Sequence, residues 1–227
     1  FFSIWDTRVK DYAEYARVNT ADDTWTKEEK DGVPVSREPE CPVVGVSWSE
    51  ATAFCVWLTE KETAERRLPK GMRYRLPTDE EWSRAAGLAK EDGVTPREKN
   101  GNGSGNYPWG VGFPPTKGKA GNYADAAFHG TFPNEKNWIE GYSDGYATTS
   151  PVGSFAPNQY GLFDMSGNVW QWCEDPLEPG SAERVLRGAS WNNCDPIGLL
   201  SSSRYHGARG YRSINYGFRC VLGASER

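Results

Sequence analysis

A chain of 227 residues with a formal net charge of −5 suits one large domain, and no composition shift marks a linker. Its basic residues are scattered, which leaves no electrostatic footprint for nucleic acid, and no apolar run reaches the length of a membrane span; one soluble domain over residues 1–227 is expected. No targeting segment is read at Phe1-Phe2, which is neither preceded by a charged region nor followed by a cleavage-like site, and the destination of the chain stays open.

In chain order, Thr7 is placed to cap a helix whose Val9, Tyr12, Ala13 and Ala16 fall on one face. Ser47 followed by Glu50 spells a capping box, with Phe54, Trp57 and Leu58 as the apolar face of the helix it starts. Thr78 and Glu81 repeat the device, with Trp82, Ala85 and Ala86 behind them. From Gly87 to Gln159 the periodicity gives way to Gly, Asn, Pro and Tyr, and a loop of that length needs a tether or a function. The last third offers short strands in "VWQWCED", "RVLRGASW" and "YGFRCVL". Many aromatics, only two Met, 25 Gly and 15 Pro complete an α+β class with little regular secondary structure. Five Cys with no CxxC pair and no metal-like spacing read as buried free thiols.

Between Leu186–Trp191 and Tyr216–Val221, both read as strands, lies an insert with neither helical nor strand period. From Asn192 to Ser225 the chain has no Lys, Glu, Gln, Met or Trp, although the rest uses Lys, Glu and Trp freely.

The blocks "VSWSEATAFCVWLTEK", "YRLPTDEEWSRAAG", "YPWG", "PVGSFAPNQYGLFDMSGNVWQWCED", "RVLRGASW" and "NYGFRC" resemble, in order, the formylglycine-generating enzyme (sulfatase-modifying factor) superfamily, from about Pro42 to Leu222. The resemblance implies a C-type-lectin-like fold; it does not by itself imply an activity. The family's oxidase holds copper with two cysteines shortly after the segment matching "RGASW", as soft sulfur suits Cu(I). Here the first position is Asn193, the nearby thiol is Cys194, and the next is Cys220. The sulfoxide-synthase branch uses three histidines on iron, whereas this chain has only His129, read as a solvated loop residue, and His206. Neither copper nor iron is expected, and the chain reads as non-enzymatic.

The resemblance also implies two structural calcium ions on oxygen ligands. The positions carry over as Asn122 and Asp144 with the carbonyls of Tyr123 and Tyr146, and as Asp164 and Gln171 with the carbonyls of Gly167 and Val169. The second set departs from the family pattern, with Asp164 where Asn is common and Gln171 where Glu is common.

An AAC or AAT codon randomised at its first two bases never encodes Lys, Glu, Gln, Met or Trp. The insert, about residues 192–216, therefore resembles the variable region of diversity-generating retroelement variable proteins, in which Asn-rich text is replaced. That likeness implies a hypervariable surface at Cys194, Ile197, Gly198, Ser203, Tyr205, His206, Gly207, Gly210, Tyr211, Ser213 and Ile214, facing a protein or other macromolecular ligand of unknown identity. The side chains are expected on one exposed face, with Tyr for rigid contact area and Arg204, Arg209 and Arg212 as added donors. A sensor or interaction domain of the same family is the alternative, and a metal-dependent oxidase a weaker one.

Overall fold

The computed structural model describes residues 1–88, 90–102, 105–115 and 120–224. The first helix, α1 (Val9–Asn19), begins one residue later than a Thr7 cap requires. Thr7 instead donates its N–H to Phe218 O at 2.9 Å and is buried, while Arg8 caps the helix with its N–H on Asp11 Oδ2 at 3.1 Å. A long-range backbone bond thus takes the cap residue that local sequence suggested. A short hairpin, β1 (Glu29–Lys30) and β2 (Val33–Pro34), leads to α2 (Trp48–Ala64).

At the start of α2, Ser47 and Glu50 form the expected reciprocal box: Glu50 N–H donates to Ser47 Oγ at 3.3 Å and Ser47 N–H to Glu50 Oε2 at 2.9 Å. β3 (Met72–Arg75) precedes α3 (Asp79–Ala85), which carries the second box at Thr78 and Glu81. Phe54, Trp82 and Ala85 are buried as their periodicity predicts.

Two short helices, α4 (Pro96–Lys99) and α5 (Ala126–Thr131), punctuate the long irregular stretch. Tyr142 ties it down by donating its hydroxyl to Gly121 O at 2.6 Å and accepting from Ala120 N–H at 2.9 Å. His129 belongs to α5 rather than to a solvated loop, and its ring stacks on Trp138 at 4.9 Å.

The main sheet joins β4 (Trp170–Pro176), β5 (Glu183–Arg187), β6 (Arg204–Ala208) and β7 (Tyr216–Gly217) in the order β6-β5-β4-β7. β5 is antiparallel to both β4 and β6, and β7 runs parallel to β4. β8 (Val221–Ala224) pairs with β3. Two strand expectations change: β5 ends at Arg187 rather than Trp191, and "YGFRCVL" divides into β7 and β8 around buried Phe218, Arg219 and Cys220.

The larger correction is β6, inside the insert. Its buried positions are Arg204 and Gly207, which lie on opposite faces of the strand, so burial does not follow a period of two and neither residue is apolar; a pattern based on alternating apolar residues misses it. The architecture is α+β, as expected. Among the described residues no helix is long and apolar enough to cross a membrane.

Candidate binding surface and metal-binding residues

Strand register builds the surface. Trp172 opposes Leu186, Leu186 opposes Tyr205, Trp170 opposes Tyr216, and Arg184 opposes Gly207. Because side chains alternate along a strand, these residues share one face of the sheet. Tyr205 lies 5.6 Å from Trp170 and 6.3 Å from Tyr216, ring centre to ring centre, and Tyr211 lies 5.9 Å from Tyr216. Trp170 and Tyr216 are buried, whereas Tyr205 is 49% and Tyr211 55% exposed. Two outward tyrosines therefore stand on a buried aromatic base.

The other insert positions divide. Ile197 and Gly210 are exposed, and Cys194, Gly198, His206, Ser213 and Ile214 are half-buried. Cys194 and Ile214 pack against the core cluster around Trp191, and Trp191 Nε1 donates to Ile214 O at 3.3 Å. His206 leaves from the opposite side of β6 and sets Nδ1 3.1 Å from Glu183 Oε2. Ser203 and Gly207 are buried, contrary to expectation. The Ser203 hydroxyl donates to Ile197 O, which fixes the loop before β6. A Cβ at Gly207 would come 2.9 Å from Trp172 Cη2. The single exposed face expected for all these side chains is thus reduced to a smaller set centred on Tyr205 and Tyr211.

The three insert arginines are equally unlike one another. Arg204 is fully buried, with Nη2 2.9 Å from Asp79 Oδ2 and Nη1 2.7 Å from Glu91 Oε1, so it belongs to the frame. Arg212 joins Glu50 and Asp22 in ion pairs. Arg209 is exposed, with its guanidinium 5.3 Å from the Trp48 ring centre.

Asn193 and Cys194 flank a cleft of about 270 Å³ that Lys30, Phe128, Glu135 and Asn137 also line. Ser190 Oγ lies 2.8 Å from Asn192 Oδ1 and 2.5 Å from Asn193 Oδ1, with one hydroxyl proton to share between them, and Asn215 Nδ2 donates to Asn192 Oδ1 at 2.8 Å, closing an amide–hydroxyl network beside it. Burial, with Asp195 and Glu135 nearby, pushes the Cys194 thiol up, which disfavours the thiolate that a soft metal requires. Cys220 is not available as its partner: it packs against Cys55 in the core, sulfur to sulfur at 3.5 Å. Sequence spacing gave no sign of that pairing of α2 with the chain preceding β8. The donor set here does not fit copper.

The two sets of calcium positions differ in fit. Asn122 donates Nδ2 to Thr148 O at 2.8 Å, leaving its buried Oδ1 without a hydrogen-bond partner. Asp144 is fully buried and accepts the N–H groups of Tyr123 and Tyr146 at 2.9 and 2.8 Å. Burial pushes its carboxyl up to about 7, with Asp125 adding to the effect. An orphaned amide oxygen and a buried carboxylate suit a hard cation.

At the second set, Gln171 turns Nε2 onto Asp164 O at 2.7 Å, and Arg219 Nη2 donates to Phe163 O and Asp164 O at 2.8 and 3.0 Å. Arg219 Nε donates to Gln171 Oε1 at 2.8 Å, and Asp6 lies 3.2 Å from Arg219 Nη2. Trp82 Nε1 also donates to Gln171 Oε1 at 2.8 Å, so that oxygen is occupied and a guanidinium places positive charge beside it, whereas the buried Asp164 Oδ1 has no hydrogen-bond partner. Gly167 serves close packing here, since a Cβ would lie 2.4 Å from Asn122 O; Val169 is buried among apolar residues. The neutral Gln171 amide and the adjacent guanidinium make this set a poorer match for calcium than the first.

Comparison with known proteins follows the same lines. The sulfatase-modifying factor enzyme 1-like domain matches residues 4–224. The inactive C-alpha-formylglycine-generating enzyme 2 of Mus musculus is 34% identical over 213 residues, covering 89% of this chain and 56% of that protein. The formylglycine-generating enzyme of Thermomonospora curvata is 34% identical over 151 residues, covering 66% and 39%. The chain spans about half the length of the curated relatives it matches. Among solved structures, PvdO from Pseudomonas aeruginosa superposes with a TM-score of 0.67 at 24% identity, covering 99% of this chain and 80% of its own. Treponema denticola variable protein 1 superposes with a TM-score of 0.60 at 19% identity, covering 99% and 84%. Both structural likenesses speak for the fold.

Proposed function

The chain belongs to the sulfatase-modifying factor enzyme 1-like domain family, and on that premise we propose that it is a non-catalytic member whose insert is a retroelement-diversified ligand-binding surface. The observation that carries this reading is the pairing of half-exposed Tyr205 and Tyr211 with a buried base of Trp170 and Tyr216. Rigid tyrosines held in this way supply contact area at low conformational-entropy cost. The ligand is a protein or other macromolecule that buries both rings.

Two further observations support the non-catalytic part. Asn193 and the protonated Cys194 thiol replace a paired-thiolate site, and a relative at 34% identity is described as inactive. The restricted alphabet from Asn192 to Ser225 supports diversification. That Treponema denticola variable protein 1, at 19% identity, has the same fold makes the reading structurally feasible. Asn122 and Asp144, with the carbonyls of Tyr123 and Tyr146, would hold one calcium ion, whose charge would neutralise a buried carboxylate and tie two parts of the irregular stretch together.

The coding DNA tests the proposal. A near-copy of the segment encoding Asn192 to Cys220, differing at adenines and lying beside a reverse-transcriptase gene, supports it. A coding locus with neither overturns the diversification. Formation of aldehyde on a sulfatase-derived Cys peptide by the copper-loaded protein, lost in Cys194→Ser, overturns the non-catalytic part.

A further inference from the structure

We propose that Arg184, Trp48 and Arg209 form an anion-recognition anchor at the edge of the tyrosine surface, and that the ligand presents it with a Glu or Asp side chain of an acidic protein segment. The inference rests on the binding-surface reading for its location and adds the chemistry of the partner.

The geometry is that of a prepared cation pair. The guanidinium carbons of Arg184 and Arg209 lie 4.6 and 5.3 Å from the centre of the same Trp48 ring. That ring is held by its own donor, since Trp48 Nε1 donates to Cys173 O at 2.9 Å. Arg209 is held through its backbone, whose carbonyl accepts from the N–H and the hydroxyl of Ser49 at 3.1 and 3.2 Å. Arg184 donates Nη1 to Glu174 O at 2.8 Å, while its Nε is a buried donor with no acceptor. Stacking on an indole orients a guanidinium plane without using its edge donors, which leaves those of exposed Arg209 for a carboxylate, with Nη2 of Arg184 beside them.

Charge distinguishes these two from their neighbours. Arg187, Arg204, Arg212 and Arg219 are each paired with a carboxylate at 3.2 Å or less. Among the described residues, Arg184 and Arg209 have no such ion pair. In a chain of net charge −5, two guanidiniums left unneutralised on one ring form a local exception. Their location is also informative: Arg184 opposes Gly207, two residues along the same strand face from Tyr205. At Gly207 the Trp172 ring fills the place of a side chain, so Tyr205 and Arg184 flank a buried indole. A single carboxylate beside an apolar or aromatic side chain matches this arrangement better than a polyanion, because Glu50 and Asp22 lie beyond it around Arg212 and would repel a continuous run of phosphates.

Fluorescence anisotropy tests this with three labelled probes: a short Glu-Tyr peptide, a Gln-Tyr peptide of the same length, and a short oligothymidylate. The expected result is tighter binding of the Glu-Tyr peptide, weakened about tenfold by Arg209→Gln, retained in part by Arg209→Lys, and reduced by salt. Unchanged melting of Arg209→Gln separates this loss from unfolding, since the side chain is exposed. Equal binding of the two peptides, binding of neither, tighter binding of the oligothymidylate, or a Glu-Tyr affinity untouched by Arg209→Gln overturns the anchor. The double variant Tyr205→Asn/Tyr211→Asn separates the two levels. If it abolishes peptide binding while Arg209→Gln does nothing, the surface stands and the anchor falls; if only Arg209→Gln matters, the anchor stands and the tyrosine surface falls.

Discussion

Arg204, in the middle of the insert, sets its Nη2 2.9 Å from Asp79 Oδ2 at the start of α3, with both side chains buried. Arg187 shares Asp79 from the neighbouring strand and stacks 4.4 Å from the Trp82 ring centre, while Glu91 receives Arg204 Nη1. Removing one partner of such a group leaves a buried charge uncompensated. Asp79→Asn and Arg204→Asn are each expected to lower the unfolding free energy by about 3–5 kcal/mol in urea titrations, although Arg204 belongs to the insert.

The same group predicts a response to acid. Burial raises the Asp79 and Glu91 carboxyls, but Arg187 and Arg204 outweigh it and hold both below the ordinary carboxylate range. Folded values below unfolded ones mean that this stabilisation is complete above the unfolded carboxylate pKa and is lost as pH falls through the folded values. The melting temperature is expected to drop as pH falls below about 4, and the drop should be shallower in the Glu91→Gln variant.

How far the sequence could foresee this follows from the range of each interaction. The boxes at Ser47 and Thr78 were legible because their partners lie three residues away. Thr7 was misassigned because Phe218, distant in sequence, takes its N–H. β6 was invisible because its buried residues are an arginine neutralised by α3 and a glycine seated on Trp172, neither of which signals burial. Tyr205 and Tyr211 were legible as surface residues, while the division of the three arginines into frame, ion pair and free cation depends on tertiary contacts that spacing does not encode.

Calcium dependence is expected to be that of one ion. With free calcium about a hundredfold above its Kd, binding to the folded state alone contributes about 2.7 kcal/mol. Chelation should therefore lower the melting temperature, and Asp144→Ala should abolish the response. Calorimetric titration should give one equivalent, because Trp82 and Arg219 already donate to the Gln171 amide oxygen and the Arg219 guanidinium adds positive charge at the second set.

Two insert glycines should behave oppositely on replacement by Ala. At Gly207 the added methyl meets Trp172 Cη2 at 2.9 Å, and an overpacked contact of this kind costs about 1–3 kcal/mol. Gly210 has open space at the corresponding position and should change stability by less than about 0.5 kcal/mol. Urea midpoints of the two variants provide the comparison.

The central claim is that the insert displays exchangeable side chains on a fixed frame, and a proteolysis-based stability scan of every position from 192 to 216 tests it most directly. The account predicts that Ile197, Tyr205, Arg209 and Tyr211 accept most replacements within about 1 kcal/mol, while Ser203, Arg204 and Gly207 accept few. Loss of folding on replacing Tyr205 or Tyr211, with tolerance at Arg204 and Gly207, would contradict it.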